Sequence, residues 1–169
     1  MSTTWKLDLT HSEITFKVRH MMISNVKGNF NSFSSEIISD DDTFKNAKVT
    51  ASIDTNSIDT NNTDRDNHLK SADFFDVEKN PTFIFTSNSM SDGATGNLTI
   101  NGVTQPIKLD IEFGGINVDP WGNTKAGFSF EGKIKRSDFG LNWNAALETG
   151  GVLVSDDVRI AGEMQFVKS

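Results

Sequence analysis

The chain has 169 residues, 36% hydrophobic and 23% charged, a balance too apolar for a disordered polymer and too polar for a helical membrane protein. Its 23 acids against 16 Lys and Arg give a net charge of -7, so no nucleic acid partner is expected. The absence of cysteine excludes disulfides, thiolate metal sites and Cys nucleophiles, and the length predicts one domain over residues 1–169.

The first residues, Met1 to Asp8, show no positive region followed by an apolar stretch, and nowhere do 18 apolar residues run together. Cytoplasmic placement without stable membrane insertion is the expectation. Trp5, Leu7 and Leu9 alternate weakly. Ile14, Phe16, Val18 and His20 then share one face while Glu13, Thr15, Lys17 and Arg19 share the other, the period of a half-buried strand. Further strand signals fall between Phe30 and Ile38 and at Val49, Ala51 and Ile53.

The stretch from Asn62 to Phe75 breaks this period. Thr63 or Asn62 can cap, Asp64 and Asp66 suit a helix N-terminus, and Leu69 with Ala72 gives a short apolar stripe, so a short helix is predicted. Strands resume at Phe83/Phe85 and Leu98/Ile100. Asn101-Gly102, between two patterned runs, tolerates positive φ and predicts a hairpin. Ile107, Leu109, Ile111 and Phe113 oppose Lys108, Asp110 and Glu112. Ala126, Phe128, Phe130 and Ile134 oppose Lys125, Ser129, Glu131, Lys133 and Lys135, and Val158/Ile160 with Met164/Phe166 completes about eight or nine strands. One-face alternation favours antiparallel pairing, and the sum is an all-β barrel or sandwich with one short helix.

Few residues are arranged for chemistry. None of His11, His20 and His68 has a partner at metal-ligand spacing, so no metal or cofactor is expected. No Gly-x-Ser-x-Gly or Ser-x-x-Lys pattern starts a nucleophilic site. Gly114-Gly115 and Gly150-Gly151 read as loop glycines, and Asp41-Asp42, Asp64/Asp66 and Asp156-Asp157 as solvated acids. The aromatic inventory is more telling: 13 Phe, 3 Trp and no Tyr make nearly every ring a purely apolar surface. An eight-stranded barrel is at the size where side chains fill the interior or leave room for one small ligand. A Phe wall without hydroxyls would select hydrocarbon over sugar or nucleotide.

The sequence resembles the YceI-like family from Trp5, Asp8, His11-Ser12, Phe16, Val18 and His20 through Gly28 and Phe30. The most specific stretch is Ser57-Ile58, Thr60, Arg65-Asp66, His68-Leu69 and Asp73-Phe74-Phe75. Pro81, Phe85, Ser87, Gly96, Leu98, Gly102-Val103-Thr104, Pro106, Arg136-Ser137-Asp138-Phe139-Gly140, Val158 and Ile160 extend it. The resemblance implies an antiparallel lipocalin-like barrel of about eight strands, without catalysis, whose hydrophobic pore takes a polyisoprenoid or other long-chain amphiphile. Many relatives carry a secretion signal that this start does not show. Position 80 is Asn where relatives often place an aromatic, and Thr3 stands where a true lipocalin signature has Gly two residues before Trp, so only barrel similarity is implied.

On this reading the pore wall is Ile14, Phe16, Val18, Phe83, Phe85, Ile107, Leu109, Ile111, Phe128 and Phe130, with His20, Arg65 and Arg136 near the head group. Two alternatives accompany it. One is an enzyme using His20 or His68 as acid or base on an isoprenoid intermediate; the other is an interaction domain with a filled core. An exposed strand edge would permit a homodimer.

Overall fold

The alternating segments become strands β1 (Thr3–Leu7), β2 (Glu13–His20), β3 (Ser24–Phe30), β4 (Phe33–Ser39), β5 (Lys48–Asp54), β6 (Ile58–Asp59), β7 (Thr82–Ser87), β8 (Ala94–Ile100), β9 (Val103–Val118), β10 (Thr124–Lys135) and β11 (Val154–Lys168). They belong to a computed structural model that describes residues 2–21, 23–90, 94–144 and 154–169; the Gly150-Gly151 pair lies outside these.

Pairing runs β1-β4-β5-β7-β8-β9-β10-β11, and β11 returns to β1, closing an antiparallel barrel of eight strands. The length of β11 makes closure possible. Its last residues, Phe166 to Lys168, pair with β1, while Val154 to Glu163 pair with β2 on the same edge, and β3 and β6 extend the sheet beyond. A 3-10 turn at Leu9–His11, capped by Asp8, offsets β1 from β2. Leu9, which alternation groups with Trp5 and Leu7, therefore lies in a turn and is exposed. Asn101 and Gly102 join β8 to β9 at φ +54 and +75, the left-handed pair that matches the twist of a two-residue hairpin.

One end of the barrel is sealed by packed aromatics. Trp5 meets Phe44 edge-on at 5.4 Å, Phe44 meets Phe128 at 5.1 Å, and Ile37, Ala47, Ala126 and Phe166 complete the cluster. Phe44 adopts φ +60, a conformation that costs a non-glycine residue about 1–3 kcal/mol and persists only when its surroundings over-determine it. Full burial of its ring supplies that determination. Phe113 continues the inward alternation of β9, yet it sits at the rim, where it stacks on Phe128 at 5.1 Å. A register shift beside Gly127 and Phe128 lets β9 flare there.

The other end carries α1 (Thr63–Lys70). Asn62 caps it by accepting from Arg65 N at 3.0 Å. The helix stops five residues before the predicted Phe75, because Ser71 turns back onto the His68 carbonyl through both its N–H and its hydroxyl. That stop leaves Ala72 exposed and swings Phe74 and Phe75 over the barrel.

A candidate ligand cavity inside the barrel

Between the two ends lies a cavity of ≈ 230 Å³ whose wall is almost wholly apolar. It runs from Val154 and Leu141 beneath the cap to Phe166 and Ile37 above the sealed end. The stretch of β11 from Val154 to Phe166 is about 40 Å of strand, or roughly 30 Å of barrel axis at the usual tilt.

Glycines leave this room. The Phe16 ring crosses its partner Gly28, where an added Cβ would fall 2.5 Å from a ring carbon, and the Phe130 ring crosses its partner Gly162 in the same way. Each ring thus lies flat against the neighbouring strand instead of standing across the lumen. The inward series of β11, Val158, Ile160, Gly162, Met164 and Phe166, is one unbroken strand whose middle position happens to have no side chain.

The ten predicted wall residues, Ile14, Phe16, Val18, Phe83, Phe85, Ile107, Leu109, Ile111, Phe128 and Phe130, all line the cavity. Arg136 reaches it; His20 and Arg65 do not. Leu69, Phe74 and Phe75 from the cap and Ile134 and Phe30 from the strands also contribute. Ile134 and Phe30 were visible as alternation, but nothing in sequence spacing says that the segment after a short helix folds back over a barrel mouth.

The polar residues near the mouth are committed elsewhere. Arg136, only 7% exposed, donates to four backbone carbonyls: Nε to Ser155 at 3.0 Å, Nη1 to Leu141 at 2.6 Å and Trp143 at 2.9 Å, and Nη2 to Val154 at 3.2 Å. Burial draws its pKa below the ordinary arginine value, opposed by the charge of Asp156. Its guanidinium therefore ties Leu141 to Trp143 and the start of β11 to the barrel, and presents essentially no polar surface to the lumen. Arg65 donates through Nε to Thr60 Oγ1 at 2.8 Å and through Nη2 to the Thr60 carbonyl at 2.5 Å, fixing α1 to the chain entering it.

His20 falls past the rim, opposite Ser24 and Val154, where the inward face of β2 has already left the barrel. His68 sits on the cap, 3.0 Å from Asp73 through Nε2, and its ring packs edge-on against Phe74 and Trp143 at 5.1 and 4.7 Å. Asn80, the departure noted in the sequence, fastens the cap to the β8–β9 hairpin. It donates to Asn101 Oδ1 at 2.8 Å and to the Phe75 carbonyl at 3.2 Å. Among the described residues no cluster of His, Cys, Asp and Glu could hold a metal ion, and no helix is long and apolar enough to cross a membrane.

An eight-stranded antiparallel barrel around an apolar lumen, with a helix at one end, is a lipocalin-like barrel. A family model described as the YceI-like domain matches residues 5–166, and the chain belongs to that family. It is 39% identical over 166 residues to a UPF0312 protein of Staphylococcus aureus (strain MSSA476), covering 97% of each chain. Among solved structures, the Campylobacter jejuni YCEI protein superposes with a TM-score of 0.74 at 37% identity, covering 89% of this chain and 90% of that one. Two more distant structures share the fold. One is a polyisoprenoid binding domain from Saccharophagus degradans (TM-score 0.76, 16% identity, 98% of each chain); the other is BcnA of Burkholderia cenocepacia (TM-score 0.79, 22% identity, 94% of this chain and 98% of that one).

Proposed function

We propose that the protein is a non-enzymatic binder of a long-chain isoprenoid or similar amphiphile, acting as carrier, store or sensor. The tail lies among Phe16, Phe83, Phe85, Phe128 and Phe130, and the head remains outside the cap end. The observation that carries this reading is the wall itself: among the described residues its polar members, Ser35 and Arg136, are already bonded to backbone carbonyls, and burying an unpaired head group there would cost several kcal/mol. The absence of a polar wall also weighs against chemistry on the bound molecule, since neither His20 nor His68 lines the lumen. A barrel filled by its own side chains does not fit a cavity of ≈ 230 Å³.

Size sets the scale of the ligand. An apolar cavity of about 150 Å³ holds a benzene ring, so this one accommodates roughly nine carbons, about two isoprene units, as it stands. Each unit gains about 4 kcal/mol gross on burial. An association cost of about 4–15 kcal/mol then calls for three or four units, which the wall accommodates only if rings such as Phe16 and Phe130 rotate as the tail enters.

Native mass spectrometry on gently purified protein, followed by organic extraction, tests the reading. A stoichiometric polyprenyl or long-chain adduct is the expected result, and Gly28→Ala, whose Cβ displaces the Phe16 ring that lines the cavity, should lower its occupancy at least several-fold. A bare mass that also fails to take up added farnesol or longer prenols overturns it.

A further inference from the structure

The sheet extension β2–β3 carries two features that enclosing a cavity does not require. On its outer face, register sets Lys133 opposite Arg159, Arg159 opposite Lys17, and Lys17 opposite Lys27. Four exposed cations thus stand in one row across β10, β11, β2 and β3. Neighbouring strands are about 4.8 Å apart, and like charges placed directly opposite destabilise a sheet. Lys133 has Asp157 at 3.9 Å; Lys17, Lys27 and Arg159 pair with no described carboxylate. The four line one open groove, whose acids, Glu13, Asp59, Asp110 and Glu131, lie on the side away from the cap. Towards the cap, two residues further along their strands, come Lys135 and Arg19, with Asp157 between them. In a chain of net charge -7, the row itself concentrates positive charge, while the groove around it carries as many acids as cations.

The second feature is the tip of the same hairpin. Met21 is 42% exposed and Ile23 is 77% exposed. The turn closes by Ile23 N donating to the His20 carbonyl at 3.2 Å, with Met21 held at φ +53. An apolar tip in a left-handed turn opposes both solubility and backbone preference, a combination that marks functional positions. The tip lies just beyond the rim of the cavity, because His20, itself past the rim, pairs with Val154, which lines it.

We infer that this hairpin docks the protein on an anionic lipid bilayer. Ile23 and Met21 enter the interface, while the row from Lys27 to Lys133 faces the phosphate headgroups. Lys27 is three residues from Ser24, about 10 Å of strand, within roughly a Debye length of those phosphates. The arrangement rests on the reading that the cavity takes a lipid tail, since it turns the cavity's mouth toward the tail's source. The charge row favours a bilayer over a neutral protein surface, and the apolar tip favours it over a soluble polyanion.

Co-flotation with vesicles of phosphatidylcholine alone, and of phosphatidylcholine with about a third phosphatidylglycerol, tests the docking. The full chain should float with the anionic vesicles and be released by high salt. Lys17→Glu with Lys27→Glu should weaken partitioning at least about tenfold, and Ile23→Asp several-fold, whereas Trp121→Ser, at the opposite end of the barrel, should change nothing. Lys17→Glu alone replaces a repulsion with an attraction to Lys27 and Arg159, so its melting temperature should hold or rise while its own flotation falls several-fold, which separates lost docking from lost folding. Retained flotation in the double variant, loss in Trp121→Ser, or binding to heparin without flotation each overturns the proposal. Protein that loads lipid but does not float defeats the docking alone; protein that does neither defeats the lipid-binding reading with it.

Discussion

The two ends of the barrel are closed by different physics. At the sealed end, Trp5, Phe128 and Phe166 project from strands whose backbones are already paired, and Phe44 fills the gap between them. At the cap end, an eight-residue helix and the irregular segments around it are held by side chains bonding to backbone: Arg136 to four carbonyls, Asn80 to Phe75 and Asn101, Arg65 to Thr60. Ring contacts also exist at the cap: the His68–Phe74–Trp143 trio packs loop against helix, and Phe75 meets Phe83 of β7 edge-on at 5.0 Å without joining the strand ladder. Elements that are not part of the ladder can open without breaking it. On the proposed lipid-binding reading the cap is therefore the end through which a ligand would pass, and the sealed end the one whose loss should cost the most global stability.

Phe44→Ala breaks this comparison most severely. Removing a fully buried ring that touches Trp5, Phe113 and Phe128 should cost about 3–5 kcal/mol, read as a lower midpoint in urea unfolding. Phe74→Ala at the cap should cost less and should instead accelerate exchange of a bound fluorescent lipid. Equal stability losses with equal exchange rates would erase the distinction between the ends.

Arg136→Gln sharpens it at a smaller scale. The variant leaves the carbonyls of Leu141, Trp143, Val154 and Ser155 without their charged donor, a loss of about 2 kcal/mol. Amide exchange and proteolysis should rise between 136 and 144 while β1 and the Phe44 turn stay protected. Lysine at 136 keeps the charge but lacks the fork that reaches four acceptors, so it should rescue little.

The contrast also governs what could be read from the sequence. Strand positions follow a period of two, and that period alone brought the ten wall residues to one surface. It fails where the strand leaves the barrel, as at His20 and Phe113, or where an inward position has no side chain, as at Gly162. The cap has no period to read: Phe74 and Phe75 belong to a turn, and Arg65, Asn80 and Arg136 spend their polar atoms on backbone carbonyls and on the side chains of Thr60 and Asn101. Arg65 and Arg136 were expected beside a head group because their charge is visible in the sequence and their carbonyl partners are not.

The smallest effect concerns the seam where β1 and β11 close the barrel. Lys125 Nζ lies 2.6 Å from Asp8 Oδ2 and 3.1 Å from Gln165 Oε1, and both ions are mostly buried. The hydrogen bond from Lys125, aided by Thr10 and His11, holds the Asp8 carboxyl well below its ordinary value of 3.8. A carboxyl whose pKa is lower folded than unfolded binds fewer protons in the native state, so stability rises with pH through that range. The contribution is complete above about pH 4–5 and is lost progressively as acid takes the pH below 3.8 and on towards the folded value. Asp8→Asn removes the charge and should flatten the acid limb of a stability-versus-pH curve while leaving the neutral limb parallel to the parent. Because the seam belongs to the ladder, protection should fall first along β1 and the end of β11 as the pH drops. Acid that instead released the cap before the seam would place the weakest closure where Arg136, charged at every pH in the experiment, holds its four carbonyls.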